Sequence, residues 1–186
     1  MKKQLTLARL GTSGAIQPDI KVANSLFAHL VRFRRSAELL QGPRRSLRPG
    51  TRRGFREAHG LVREDAASLF RRCQQDAFKH FSDVTREGIT IAAPGFYAPQ
   101  GRWVRLEPHD AHLNEKIESF GYEGRRITNF EMEGSALAGL AALMGHRAAT
   151  ICTIIAQRIA QDVNTDYKPF VKEMIRTALD KLAILE

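Results

Sequence analysis

Ala148-Ala149-Thr150-Ile151-Cys152-Thr153-Ile154-Ile155-Ala156 carries no charge and is dominated by β-branched and small residues. A strand with one wet face alternates apolar and polar side chains. A continuous apolar run of this length instead predicts a strand buried on both faces, as in a parallel sheet between helices. Upstream, Glu133 to Met144 is rich in Ala and Leu and reads as a helix stopped by Gly145. Downstream, after a loop, a second helix is expected from about Pro169 to Leu185, with the proline in its first turn. Helix, buried strand and helix in succession give an α/β class with a mixed or parallel central sheet flanked by helices.

Further out, Leu5 to Leu10 alternates like a strand and runs into Gly11-Thr12-Ser13-Gly14, read as a turn. Ile89 to Ala93 is a short strand ending at Pro94-Gly95, and Tyr122 to Thr128 forms another. Residues 64–83 show helical spacing through Ala67, Phe70, Cys73, Ala77, Phe78 and Phe81, and residues 102–120 are polar and mixed. Residues 41–54 are dense in arginine and chain breakers and read as an irregular, unpacked loop. No internal repeat is present. With 186 residues the chain suits one domain.

The net charge of +9 raises a nucleic-acid reading. Its distribution argues against one. Residues 32–72 hold twelve arginines, no lysine and four acids, a local +8 that leaves +1 for everything else. That stretch lacks the amphipathic pattern and aromatic interleaving of a groove reader, so no specific nucleic-acid partner is expected. No run approaches the ~20 apolar residues of a membrane span, and the basic start has no signal-peptide core. The chain reads as cytoplasmic with no membrane partner. Of the two cysteines, Cys73 and Cys152, the second lies in the apolar run and reads as a small core residue. No metal site is expected.

Three short motifs carry chemistry. Arg9 beside the Gly11–Gly14 cluster offers a guanidinium fork and backbone N–H groups to an anion, or is a surface arginine by an ordinary turn. Phe96-Tyr97-Ala98-Pro99-Gln100-Gly101-Arg102 pairs an amide with a guanidinium two residues on. Together they can read an amide-like heterocycle edge, or form a solvated loop. Asn129-Phe130-Glu131-Met132-Glu133-Gly134-Ser135 puts two carboxylates at a helix start. Either they cap the helix dipole or they accept hydrogen bonds from sugar hydroxyls.

Taken in order, these motifs and a buried strand ending in Gln157-Arg158 resemble the nucleoside phosphorylase family, and within it the uridine phosphorylases. The resemblance covers about residues 5–20 and 86–180. It implies a nucleoside phosphorylase-like fold and phosphorolysis of a pyrimidine nucleoside. The expected substrates are a nucleoside and inorganic phosphate, with no cofactor and a homo-oligomeric assembly. By the same resemblance Arg9 and Thr12 bind phosphate. Gln100 and Arg102 hydrogen-bond the uracil edge, Phe96 packs on the nucleoside, and Ile155 and Ala156 border the base. Glu131, Met132 and Glu133 hold the ribose, and Arg158 braces the Gln100–Arg102 loop. Arg9, Arg102 and Glu133 are the expected catalytic groups. Purine-cleaving relatives place an acid near the strand end where this chain reads Ile154-Ile155-Ala156-Gln157.

Two departures stand out. The resemblance implies an upstream region with a glycine-containing phosphate loop, a second phosphate arginine and a histidine offered to a neighbouring subunit, yet Met1 comes just before the Arg9 strand. Residues 21–65 look unlike the family and are arginine-, proline- and glycine-rich. The expectation is an incomplete or damaged copy, with 21–65 read out of frame and activity impaired. The rivals are a non-catalytic remnant, a basic segment adhering to nucleic acid, a nucleosidase, or a purine-cleaving relative.

Overall fold

The computed structural model describes residues 3–33, 69–72, 81–105, 111–122, 124–159 and 161–184. The uncharged run forms the centre of the longest strand, β7 (Arg147–Gln157), in which residues 148–154 are all buried. It lies parallel to β1 (Thr6–Ala15), from Thr6 opposite Arg147 to Ala15 opposite Gln157. The Gly11–Gly14 cluster, expected as a turn, is therefore the second half of a strand. Neither Gly11 nor Gly14 takes a positive φ, and the ladder to β7 satisfies their backbone groups. The irregularity that the glycines do bring is a register shift between Ser13 and Gly14.

The other strands are β2 (Ser25–Phe33), β3 (Leu69–Arg72), β4 (Arg86–Ala92), β5 (Gly121–Tyr122), β6 (Arg125–Glu131) and β8 (Asp162–Val163). The main order is β3-β2-β4-β6-β1-β7-β8, and β2 also pairs with β7. Ser25 to Phe27 meets Ile151 to Thr153 antiparallel, so the mixed sheet curls round into a partial barrel. Two expectations need correction. Ser25–Phe33 lies inside the 21–65 segment, expected as an atypical and irregular stretch, yet it is a strand within the sheet, parallel to β4. Leu69–Arg72 lies inside the expected 64–83 helix, yet it pairs antiparallel with β2. In both, available ladder partners override local spacing. The rest of that expected helix up to residue 80, Cys73 included, and the expected loop at 41–54 lie outside the described residues.

Three helices of six residues or more complete the described chain: α1 (Leu113–Glu118), α2 (Gly134–Leu143) and α3 (Lys168–Ala183). Pro169 sits in the first turn of α3. Gly145, just past α2, has φ 76°, the left-handed stop that glycine takes without strain. The amphipathic α3 lays Val171, Met174, Ala178 and Leu182 against Ala149, Ile151 and Phe81. On another face α1 contributes Ile117, which packs with Phe120, Ile89, Ile91, Ile127 and Phe130. A third cluster, Ala15, Ile20, Leu26 and Ile154, fills the join where β2 meets β7. Among the described residues no helix is long and apolar enough to cross a membrane.

Candidate functional site

β4 and β6 run parallel, β1 lies antiparallel to β6 and parallel to β7, and the motif residues lie at the ends of β4, β6 and β7 and, for Arg9, in the first half of β1. They form two neighbouring clusters. The first is built on β1 and the β6–α2 junction. Arg9 Nη1 reaches Cys152 Sγ at 3.2 Å and Glu131 Oε2 at 3.4 Å, while its Nη2 pairs with Glu133 Oε2. The guanidinium lies flat over Gly11. A Cβ there would stand 2.8 Å from Arg9 Nη1 and 2.9 Å from its Cζ. Glycine at 11 thus makes room for a side chain and not for a turn.

Glu131 and Glu133 divide the alternatives posed by the sequence. Glu131 is buried, and its Oε2 accepts the backbone N–H groups of Glu133 at 2.9 Å and Gly134 at 2.7 Å. It is the cap of α2 in all but position. Burial pushes its carboxyl up from the usual range, against those two hydrogen bonds and Arg9, which pull it down. Its Oε1 is buried without a partner among the described residues. Glu133 instead makes no capping bond and its side chain is 60% exposed. Met132, between them, is exposed. Thr12 is half-buried on β1 opposite Thr153, and its hydroxyl has no hydrogen-bond partner among the described residues.

The second cluster sits on the loop after β4. A short 3-10 turn (Ala98–Gln100) ends at Gly101, whose φ of 69° turns the chain back. Gln100 is buried. Arg102 Nη1 donates to its Oε1 at 2.5 Å and to Phe96 O at 2.9 Å, and the guanidinium lies 3.9 Å over the Phe96 ring. From the end of β7, Arg158 Nη2 donates to Gln100 O at 2.7 Å, and its guanidinium lies 4.9 Å over Phe130. Burial and the nearby Arg102 push Arg158 down to about 10, which leaves it charged at neutral pH. Burial also lowers Arg102. Ile155 and Ala156 are half-buried just before Arg158. Among the described residues neither Arg102 nor Arg158 has a carboxylate partner.

Sequence reasoning named both clusters but missed what joins them. Fully buried Asn129 donates from Nδ2 to Ser13 Oγ at 2.9 Å. Its Oδ1 accepts Thr90 Oγ1 at 2.9 Å and Thr128 Oγ1 at 2.8 Å. This ties β1, β4 and β6 together behind the site. Asn114 of α1 donates to Gly101 O at 3.3 Å and anchors the second cluster's loop. Asn129, between Ile127 and Phe130 near the end of β6, was the one available signal. Among the described residues no group of three His, Cys, Asp or Glu side chains could hold a metal ion.

A mixed, partly closed sheet flanked by helices, with arginines and carboxylates at its strand ends, is a nucleoside phosphorylase-like architecture. The chain belongs to the phosphorylase superfamily, whose family model matches residues 3–185 and so runs through the arginine-rich segment. It is 27% identical to a uridine phosphorylase of Thermococcus kodakarensis over 186 residues, covering 97% of this chain and 57% of that protein. To a uridine phosphorylase of Escherichia coli K12 it is 27% identical over 159 residues, covering 85% of this chain and 56% of that protein. The chain thus spans a little over half the length of these curated relatives. A Trypanosoma brucei nucleoside phosphorylase that shows uridine phosphorylase activity superposes with a TM-score of 0.82 over 96% of this chain and 63% of that one. At 22% identity that is a likeness of fold.

Proposed function

We propose that this chain binds inorganic phosphate and a pyrimidine nucleoside and carries the phosphorolysis of uridine to uracil and ribose 1-phosphate. The observation that supports the base assignment most directly is the pair of guanidiniums, Arg102 and Arg158, converging on buried Gln100 with no carboxylate partner among the described residues. Uracil presents an acceptor, a donor and an acceptor along one edge. The Gln100 amide supplies donors and a remaining lone pair, and Arg102 supplies further donors. When the glycosidic bond breaks, its electron pair leaves with the base. The two uncompensated cations stabilise charge that is absent in the ground state, which is where binding energy accelerates a reaction.

In this reading Arg9 and Thr12 hold phosphate beside the anomeric carbon. Arg9 has five N–H donors. Nη1 turns toward Cys152 and Glu131 and one Nη2 donor toward Glu133, so the Nε donor and one Nη2 donor remain for an anion. A phosphate oxygen bonds to C1′ as the N1–C1′ bond breaks, and uracil then takes a proton from water. Met132, Glu133 and the capping Glu131 line the ribose, Glu133 with the exposed carboxylate that hydroxyls need. Phe96, Ile155 and Ala156 border the base, and Arg158 braces the loop. The reading includes assembly with further copies of the chain. The exposed apolar side chains of Met132, before α2, and of Leu140, Leu143 and Met144, toward its far end, support it.

The test is uracil release from uridine with and without phosphate, on the chain and on Gln100→Ala and Arg102→Ala. Phosphate-dependent release, slowed about 10²-fold in each variant, is the expected result. Undiminished release in both variants would refute the base assignment. Release that ignores phosphate would mean hydrolysis, and faster cleavage of inosine would mean a purine site.

A further inference from the structure

The Arg9 guanidinium is held by an acceptor that the proposed chemistry does not use. Nη1 donates to Cys152 Sγ at 3.2 Å. Cys152 is buried on β7, opposite Gly11, the glycine over which the guanidinium lies. Cys152 is not alone. Ser13 follows Gly11 by two positions on β1, and its Oγ accepts Asn129 Nδ2 at 2.9 Å. The Asn129 amide cannot flip, because its Oδ1 already accepts the hydroxyls of Thr90 and Thr128. A buried polar set therefore lines the same stretch of β1, and Arg9 donates to the thiol beside it.

We infer that Cys152 is a positioning residue for the anion subsite: its buried sulfur fixes the plane in which Arg9 presents its remaining N–H donors to phosphate. This rests on the reading of Arg9 as the phosphate ligand. The physical reason is competition. Glu133 is exposed and can draw the long arginine side chain outward, and so can solvent. A buried acceptor on the opposite side holds Nη1 inward, so that the free Nε and Nη2 edges face one direction. The thiol itself is no nucleophile here. Burial pushes it up to about 11, and it stays protonated at neutral pH.

The experiment titrates inorganic phosphate calorimetrically into the chain and into Cys152→Ala, Cys152→Val and Cys152→Ser, with uridine affinity and thermal midpoint measured alongside. Valine keeps the volume and removes the acceptor, and serine restores an acceptor. Loss of one such hydrogen bond predicts phosphate affinity about three- to tenfold weaker in the alanine and valine variants. Uridine affinity should change less than twofold, and serine should recover most of the loss. The inference is overturned if valine and alanine bind phosphate like the parent, or if serine loses as much as they do. It is also overturned if phosphate and uridine affinity fall together in proportion to the thermal midpoint. A parent chain that binds no phosphate at all would bring down the functional reading with it. A parent that binds phosphate but cleaves no uridine would bring down only that reading.

Discussion

Replacing Gly11 by alanine separates the pose of Arg9 from the stability of the strand that carries it. The added Cβ would sit 2.8 Å from Arg9 Nη1 and 2.9 Å from Cζ and Nη2. Non-bonded heavy atoms settle near ~3.5–4.0 Å, so the guanidinium must retreat by roughly 1 Å. Only the far end of a flexible side chain stands in the way, so the backbone need not move. Alanine in a strand gains roughly 0.5–1 kcal/mol over glycine in conformational entropy, and an exposed ion pair such as Arg9–Glu133 is worth at most about 1 kcal/mol. The two nearly cancel, and the thermal midpoint should shift by only a few degrees. Activity should not be spared, because misplacing a substrate-positioning group by ~1 Å can cost ~10²-fold. The assay is initial rate against phosphate at saturating uridine, for Gly11→Ala, Arg9→Ala and the double variant. If Gly11 acts through Arg9, the double variant is no slower than Arg9→Ala alone. Unchanged phosphate dependence in Gly11→Ala, or fully additive losses, would refute the reasoning.

Other perturbations follow from the same geometry. Gly88→Ala should do the reverse and cost mainly stability. Its Cβ would lie 2.2 Å from Thr128 Cγ2 in a buried ladder, a clash costing at least roughly 1–3 kcal/mol by denaturant melting. Ile151→Ala should cost about 2–5 kcal/mol, because Ile151 is buried against α3 beside Met174 and Ala178; a smaller loss would mean that α3 is not seated there. Stability should fall as pH rises from about 9 toward 11. The Cys152 thiol keeps its proton in the fold up to about 11 while the unfolded chain loses it near 9. The loss is at most roughly 3 kcal/mol and should flatten in Cys152→Val. Arg158→Lys should raise KM for uridine more than for phosphate, since a lysine cannot both reach Gln100 O and lie over Phe130 as the guanidinium does; equal effects on both substrates would contradict the separation of the two clusters.

The sequence makes some of this architecture legible and hides the rest for identifiable reasons. β7 was readable because residues buried on both faces must be uniformly apolar, and α3 because Pro169 suits a first helical turn. Gly11-Thr12-Ser13-Gly14 misled because glycine has two uses, freedom of φ and absence of a side chain, and composition cannot tell them apart. β2 was hidden by the arginines that follow it, and β3 by four residues whose partner lies some forty positions away. The residues alone name the motifs without grouping them. Only the resemblance sets Arg158 against the Gln100–Arg102 loop, and that Arg9 would meet both Glu133 and Cys152 depends on which strands are neighbours. Cys152 was recognised as a buried thiol, and its place beside Arg9 lay beyond any local pattern.

The pairing of β1 with β7 has a consequence for how the protein is made. Arg9 and Cys152 are 143 residues apart, so the first strand emerges from a ribosome long before its parallel neighbour exists. At roughly 5–20 residues per second, β1 waits on the order of 7–30 s for that neighbour. Neither the anion cluster nor the closing contact between β2 and β7 can be complete until residue 153 has appeared. Such high contact order slows folding and makes the nascent segment that carries β1 a natural client for whatever shields unpaired strands during synthesis.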